Sequence, residues 1–181
     1  MPTWCCRDVV GPATERLWAA TEGLTWFEAS LREAPPSGVR AAAQRARVVK
    51  VSAEELDHYE EAFVDGTAAL ARFITMGADG VRWQDRTSRE NEWSPWSTSP
   101  SRLDRPPVDT IGAGDAWTAS ASSVLAAGGS LAGALDRAGG SAAEACLGVG
   151  ARGDMLGPGR GSSAWLRDNI AFECGRCELG I

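Results

Sequence analysis

Apolar and polar positions along this chain keep two different rhythms, and each change of rhythm marks an element. Val48-Val49-Lys50-Val51 is a short, nearly unbroken apolar run with polar ends, the pattern of a strand buried on both faces. Ser52-Ala53-Glu54-Glu55-Leu56 follows it and predicts the opening of a helix. There Ser52 and Glu55 would form a capping box, each side chain satisfying the other's backbone N–H. Ala71–Thr75 and Val81–Gln84 read as two further strands, with Asp79-Gly80 supplying turn chemistry between them. From Asp115 the rhythm lengthens to that of a helix, running to about Ala127 and stopped by Gly128-Gly129. Ser130 can cap a second helix whose apolar stripe is Leu131, Leu135, Ala138, Ala142 and Ala145, with Gly139-Gly140 allowing close packing on a neighbour.

Elsewhere the pattern is weaker. Helical periodicity is visible around Ala13 to Ala20 and from Thr25 to Ala34, with Pro35-Pro36 as a stop and a short Arg/Ala-rich helix from Val39 to Arg45. Residues 85–107 are polar and contain Trp93 and Trp96, which reads as an edge strand or long loop. Residues 162–181 read as a short docking helix or a tail. Strands alternating with helices predict an α/β fold. It divides into a helical segment at 1–45, a part of alternating strands and helices at 46–160 that carries the candidate chemistry, and a tail at 161–181.

Charge and composition narrow the function. A net charge of −6 disfavours nucleic acid and anionic membrane surfaces as general partners. Trp93 and Trp96 interleaved with Arg could stack on single-stranded nucleic acid, but Asp85, Glu90, Glu92 and Asp104 spoil a basic groove. No run reaches membrane-span length and the start lacks a secretory pattern, so the expected location is cytoplasmic. Lys50 is the only lysine, so any lysine chemistry must use it. The five cysteines include Cys174-Gly175-Arg176-Cys177, but adjacent Cys5-Cys6 cannot readily complete a zinc site, which leaves reduced thiols. His58, the only histidine, lies among Glu54, Glu55, Asp57, Glu60 and Glu61 and reads as part of a solvated helix face. Gly148-Val149-Gly150-Ala151-Arg152-Gly153 matches the dinucleotide fingerprint in letters only. A helix precedes it and Gly157-Pro158-Gly159 forbids one beyond, so an NAD site is rejected.

The chemistry concentrates in Asp109-Thr110-Ile111-Gly112-Ala113-Gly114-Asp115. Small residues directly before a helix let amides approach an anion, and the helix dipole adds to the attraction. A carboxylate in the first turn is favoured there and can reach a group held in the loop. An anion cradle beside a base suits phosphoryl transfer. A plain strand-to-helix turn with an Asp near the helix start would show the same letters.

This stretch resembles the C-terminal signature of the ribokinase-like carbohydrate kinases. By that resemblance Asp115 would deprotonate the substrate hydroxyl, and Gly112, Ala113 and Gly114 would form the anion hole. Thr75, Gly77 and Gly80 are similar to the family's Thr-x-Gly-x-x-Gly turn against ATP. Val49-Lys50-Val51-Ser52 with Glu55 is similar to a stretch in which the Glu acts on magnesium through water. The region after the last helix resembles one that sometimes lends carbonyls to a monovalent cation. One departure is visible: Ala119 is followed by Ser120 where the family has Gly, which should weaken helix packing.

The resemblance covers about Val48 to Gly153 and implies part of a three-layer α/β/α sandwich, the C-terminal portion without the lid. It implies ATP-dependent phosphorylation of a sugar hydroxyl with Mg2+, of the fructokinase or 2-keto-3-deoxygluconate kinase kind. Nucleotide and a small sugar would then be the partners. The alternative is an inactive remnant that at most binds nucleotide.

Overall fold

The computed structural model describes residues 4–7, 24–29, 36–57, 59–60, 69–86 and 92–150. The expectations for 13–20, His58, 162–181, the Cys174/Cys177 pair and residues 151–153 lie outside that set.

One mixed sheet organises the described residues. Its six strands stand in sequence order: β1 (Trp4–Arg7), β2 (Thr25–Ala29), β3 (Val48–Ser52), β4 (Ala71–Thr75), β5 (Val81–Asp85) and β6 (Ser97–Ser99). The first four run parallel, β5 runs antiparallel to β4, and β6 runs antiparallel to β5. The expected β4–β5 hairpin is present, with β5 one residue longer than the pattern suggested, and β6 is the edge strand expected within 85–107.

Among the described residues three helices cover the two faces. Helix α1 (Pro36–Arg45) links β2 to β3, and α2 (Ala113–Ala126) and α3 (Leu131–Ala145) pack on the opposite face. Period-2 alternation in the strands sorts the core between the two layers. Phe27, Val49, Val51 and Ile74 bury against Ala42 and Ala43 of α1 and Ala46 just past its end. Trp26, Val48, Ala71 and Phe73 bury against Trp117 and Ala121 of α2 and Leu135 and Ala138 of α3. The centre of the second layer is aromatic: Phe73 stacks on Trp26 at 5.9 Å and meets Trp117 edge-on at 5.1 Å. This is the expected three-layer α/β/α arrangement, in an open sheet.

Two expectations need correction. The stretch from Thr25 is strand β2, not helix. Thr25, Trp26 and Phe27 favour an extended backbone, and parallel partners on both sides satisfy its amides while both faces are covered. Ser52 to Leu56 forms turns instead of a helix. The Ser52 hydroxyl donates to the Glu55 carboxylate at 2.8 Å, and the Glu55 N–H goes to the Ser52 carbonyl at 3.1 Å, so the reciprocal side chain-to-backbone box does not form. Ser120 stands where α2 meets α3, and its hydroxyl bonds that of Ser141 across the two helices at 2.7 Å.

The glycine pair in α3 is used differently from expectation. A Cβ on Gly139 would meet the side chain of Arg102, whereas one on Gly140 would meet nothing within 4 Å. Ser130 caps α3 as expected, accepting from the Gly133 amide at 3.1 Å. Trp93 and Trp96 are engaged within the protein: Arg72 lies over Trp93 at 3.8 Å, and Arg82 over Trp96 at 5.1 Å. No helix among the described residues is long and apolar enough to cross a membrane.

Candidate active site

The site begins where the chain turns into α2. Gly112 is the residue before the helix and holds φ 85°, ψ −4°, the left-handed region that a Cβ disfavours. The Thr110 carbonyl accepts the Ala113 N–H at 3.2 Å, and the Gly112 carbonyl accepts that of Ala116 at 2.9 Å. The Gly112 and Gly114 amides meet no protein acceptor among the described residues. They stand at the positive end of a fourteen-residue helix. Of the three expected anion-hole amides, two are therefore open and Ala113's is committed to the turn.

Asp109 suspends this loop. Its carboxylate accepts the Ile111 N–H at 3.0 Å and the Gly150 N–H at 2.8 Å. Those amides, Ile111's first, hold the carboxyl below its usual range. The Cys146 carbonyl, past the end of α3, accepts the amides of Val108 at 2.8 Å and Asp109 at 3.3 Å. Burial, and then the nearby Asp109 charge, push the Cys146 thiol up. The loop is thus fixed to the far end of α3 before it enters α2.

A cleft of about 1130 Å³ opens against this corner. Ala113 and Gly114 at the helix start line it, and so do Thr75, Gly77 and Gly80 from the β4–β5 connection. Two stretches some 35 residues apart in sequence therefore line one cavity. Gly77 has φ 57° and open space where a Cβ would stand. Gly80 has φ 91°, and a Cβ there would overlap the Ser99 carbonyl and come within 2.7 Å of the Pro100 and Ser101 backbone.

Asp115 lies one residue past Gly114, exposed in the first turn of α2. At the end of β3, Ser52, Ala53 and Glu54 reach the cleft wall, while the half-buried Glu55 holds the Ser52 hydroxyl. Among the described residues no three His, Cys, Asp or Glu side chains cluster as a metal cage. Magnesium that travels with a nucleotide takes most of its ligands from phosphates and water, so one or two carboxylates at this rim fit it.

A buried polar group beneath the corner escaped the sequence reading. Lys50 Nζ pairs with Glu28 Oε1 at 2.5 Å, and the other Glu28 oxygen accepts from Thr118 Oγ1 at 2.8 Å. The only hints in sequence were a lone lysine in an apolar strand and a lone acid after Thr25-Trp26-Phe27.

Comparison with known proteins gives a family. The model of the pfkB family carbohydrate kinases matches residues 14–156. An aminoimidazole riboside kinase from Salmonella enterica, solved with aminoimidazole riboside and an ATP analogue, is 27% identical with a TM-score of 0.58. The match covers 75% of this chain and 50% of that one. A Thermotoga maritima ribokinase is 17% identical with a TM-score of 0.60, over 77% of this chain and 48% of that one. A Burkholderia thailandensis nucleoside kinase solved with inosine is 21% identical with a TM-score of 0.62, over 77% and 46%. The chain spans about half the length of the solved structures it matches. No curated protein sequence matches it significantly.

Proposed function

We propose a function from one premise: the chain belongs to the pfkB family of carbohydrate kinases. The reading is ATP-dependent transfer of the γ-phosphoryl group to a sugar or nucleoside hydroxyl, with a fructokinase- or 2-keto-3-deoxygluconate kinase-like acceptor as its finer form.

The observation that carries it is the shared cleft, which Thr75, Gly77 and Gly80 line together with Ala113 and Gly114 at the helix start. ATP would lie along Thr75, Gly77 and Gly80, with its terminal phosphate toward residues 112–114. Asp115 would take the proton from the acceptor hydroxyl as that oxygen bonds to the γ-phosphorus. The bond from phosphorus to the β–γ bridging oxygen breaks, and ADP leaves with the electron pair. The open Gly112 and Gly114 amides would stabilise the charge spread over the moving group. Magnesium, held by the phosphates with Glu55 acting through water, would neutralise charge on the leaving oxygen. Carbonyls for a monovalent cation would come from the segment after α3, of which residues 151–153 lie outside the described set.

The test is sugar-dependent release of ADP. Asp115→Asn is expected to lower it at least about a hundredfold, the scale of losing a positioned base. Unchanged turnover would refute the role of Asp115. A second reading, nucleotide binding without transfer, is favoured by the lining of the cleft, which takes in Thr75, Gly77 and Gly80 but not Asp115. Calorimetric titration with ATP and then with sugars separates the two. ATP binding with no sugar response and no turnover supports the second.

A further inference from the structure

Lys50 is the one lysine of the chain, and the fold spends it in the interior. Its side chain is 3% exposed and that of its partner Glu28 is 8% exposed. The two residues stand opposite one another in the β2–β3 register, on the sheet face that carries α2. A Cβ placed on Gly114 would stand 3.7 Å from Lys50 Nζ, so the ammonium lies directly behind the start of the helix. The carboxylate is tied further along, through Thr118 in the second turn.

This placement is poor for stability alone. A cation beneath a helix N-terminus opposes the helix dipole, and a buried ion pair rarely outperforms apolar side chains of the same volume. It is favourable if an anion occupies the other side of Gly114. The positive end of the pair then faces the anion and the negative end faces away, in the same sense as the helix dipole. Little solvent intervenes to screen either field.

We propose that Lys50 is a positioning residue for the phosphate-accepting corner. Held by Glu28 and Thr118, it backs the Gly112–Gly114 turn with a fixed positive charge and sets the orientation of the first turn of α2. The proposal rests on the reading of that turn as an anion hole and assigns its electrostatic support to the sheet beneath.

The probe is inorganic tripolyphosphate, titrated into the full chain. Lys50→Met alone strands the Glu28 carboxylate and is expected to lower the melting temperature. The double variant K50M/E28Q leaves two neutral side chains of similar size and is expected to melt close to wild type. Its tripolyphosphate affinity should nevertheless fall about tenfold, the scale of a partly buried charge–dipole interaction. A double variant that binds as tightly as wild type overturns the proposal, and so does a wild-type chain that does not bind the probe. Because Lys50 is unique, 15N-lysine labelling gives a readout without any substitution. Its single side-chain signal must shift on saturation, and an unmoved signal also overturns the proposal. Tripolyphosphate binding that depends on Lys50, without sugar-dependent ADP release, would remove the kinase reading and leave this assignment standing.

Discussion

Gly77 and Gly80 both belong to the turn expected to lie against ATP, yet the structure predicts that replacing them by alanine has opposite consequences. At Gly77 the backbone is left-handed with φ 57°, but a new methyl group meets nothing within 4 Å. The cost to stability is then the conformational strain alone, about 1 kcal/mol. At Gly80, φ 91° and ψ −134° lie in a region that only glycine occupies comfortably, which costs roughly 1–3 kcal/mol for any other residue. The methyl group would also collide with the backbone of Ser99, Pro100 and Ser101, which has no flexible side chain to move aside. Overpacking of that kind adds about 1–3 kcal/mol. Gly80→Ala is therefore expected to cost about 4 kcal/mol, some 3 kcal/mol more than Gly77→Ala. In a chain of this length that difference is about 6–12 °C in melting temperature. Nucleotide affinity should follow the reverse order once each variant is assayed where it is folded, because the methyl group at 77 projects into the open cleft. Thermal unfolding followed by tryptophan fluorescence, paired with ATP titration, reads both quantities. Equal melting temperatures would refute the steric argument at Gly80, and undiminished ATP binding by Gly77→Ala would refute the placement of nucleotide there.

Two further outcomes follow from the same geometry. Phe73 is fully buried and touches both Trp26 and Trp117, so Phe73→Ala should cost about 4 kcal/mol and detach α2 from the sheet, with chemical denaturation as the check. A cost below about 1 kcal/mol would mean that the aromatic layer does not seat the helix. The Asp109 carboxyl is depressed by the amides it accepts, so its hold on the loop is complete above the ordinary carboxylate value and fades only as pH falls through its own lower pKa. The Ile111 and Gly150 amide resonances should accordingly stay unmoved on its account from about pH 5 to 8 and shift only below about pH 3.8. A shift of both together near pH 6 would contradict the assignment of those two bonds.

The local features of this chain were legible because they depend on neighbours in sequence. Val48 to Val51 is extended because an unbroken apolar run of that length suits a buried strand. The 112–115 corner turns because Gly112 tolerates a positive φ, and α3 starts at Ser130 because its hydroxyl reaches an amide three residues on. The Thr75–Gly80 turn and the helix start could each be recognised alone, but nothing in their spacing placed them across one cleft. The fold does that by running β5 back beside β4 and laying α2 over the strands that carry the turn. Tertiary pairing also overruled local pattern. Thr25 to Ala29 reads with the helical period, and two parallel neighbours made it a strand. Ser52 and Glu55 have the letters of a cap, but their side chains bond each other and the segment turns instead of winding. Least visible was the Glu28–Lys50–Thr118 group, whose members lie 22 and 68 residues apart in sequence and become neighbours only when the sheet forms and the helix settles on it. Sequence separation is the physical reason: propensity and capping act over a few residues, whereas a buried charge is stabilised by whichever strand and helix the topology brings against it.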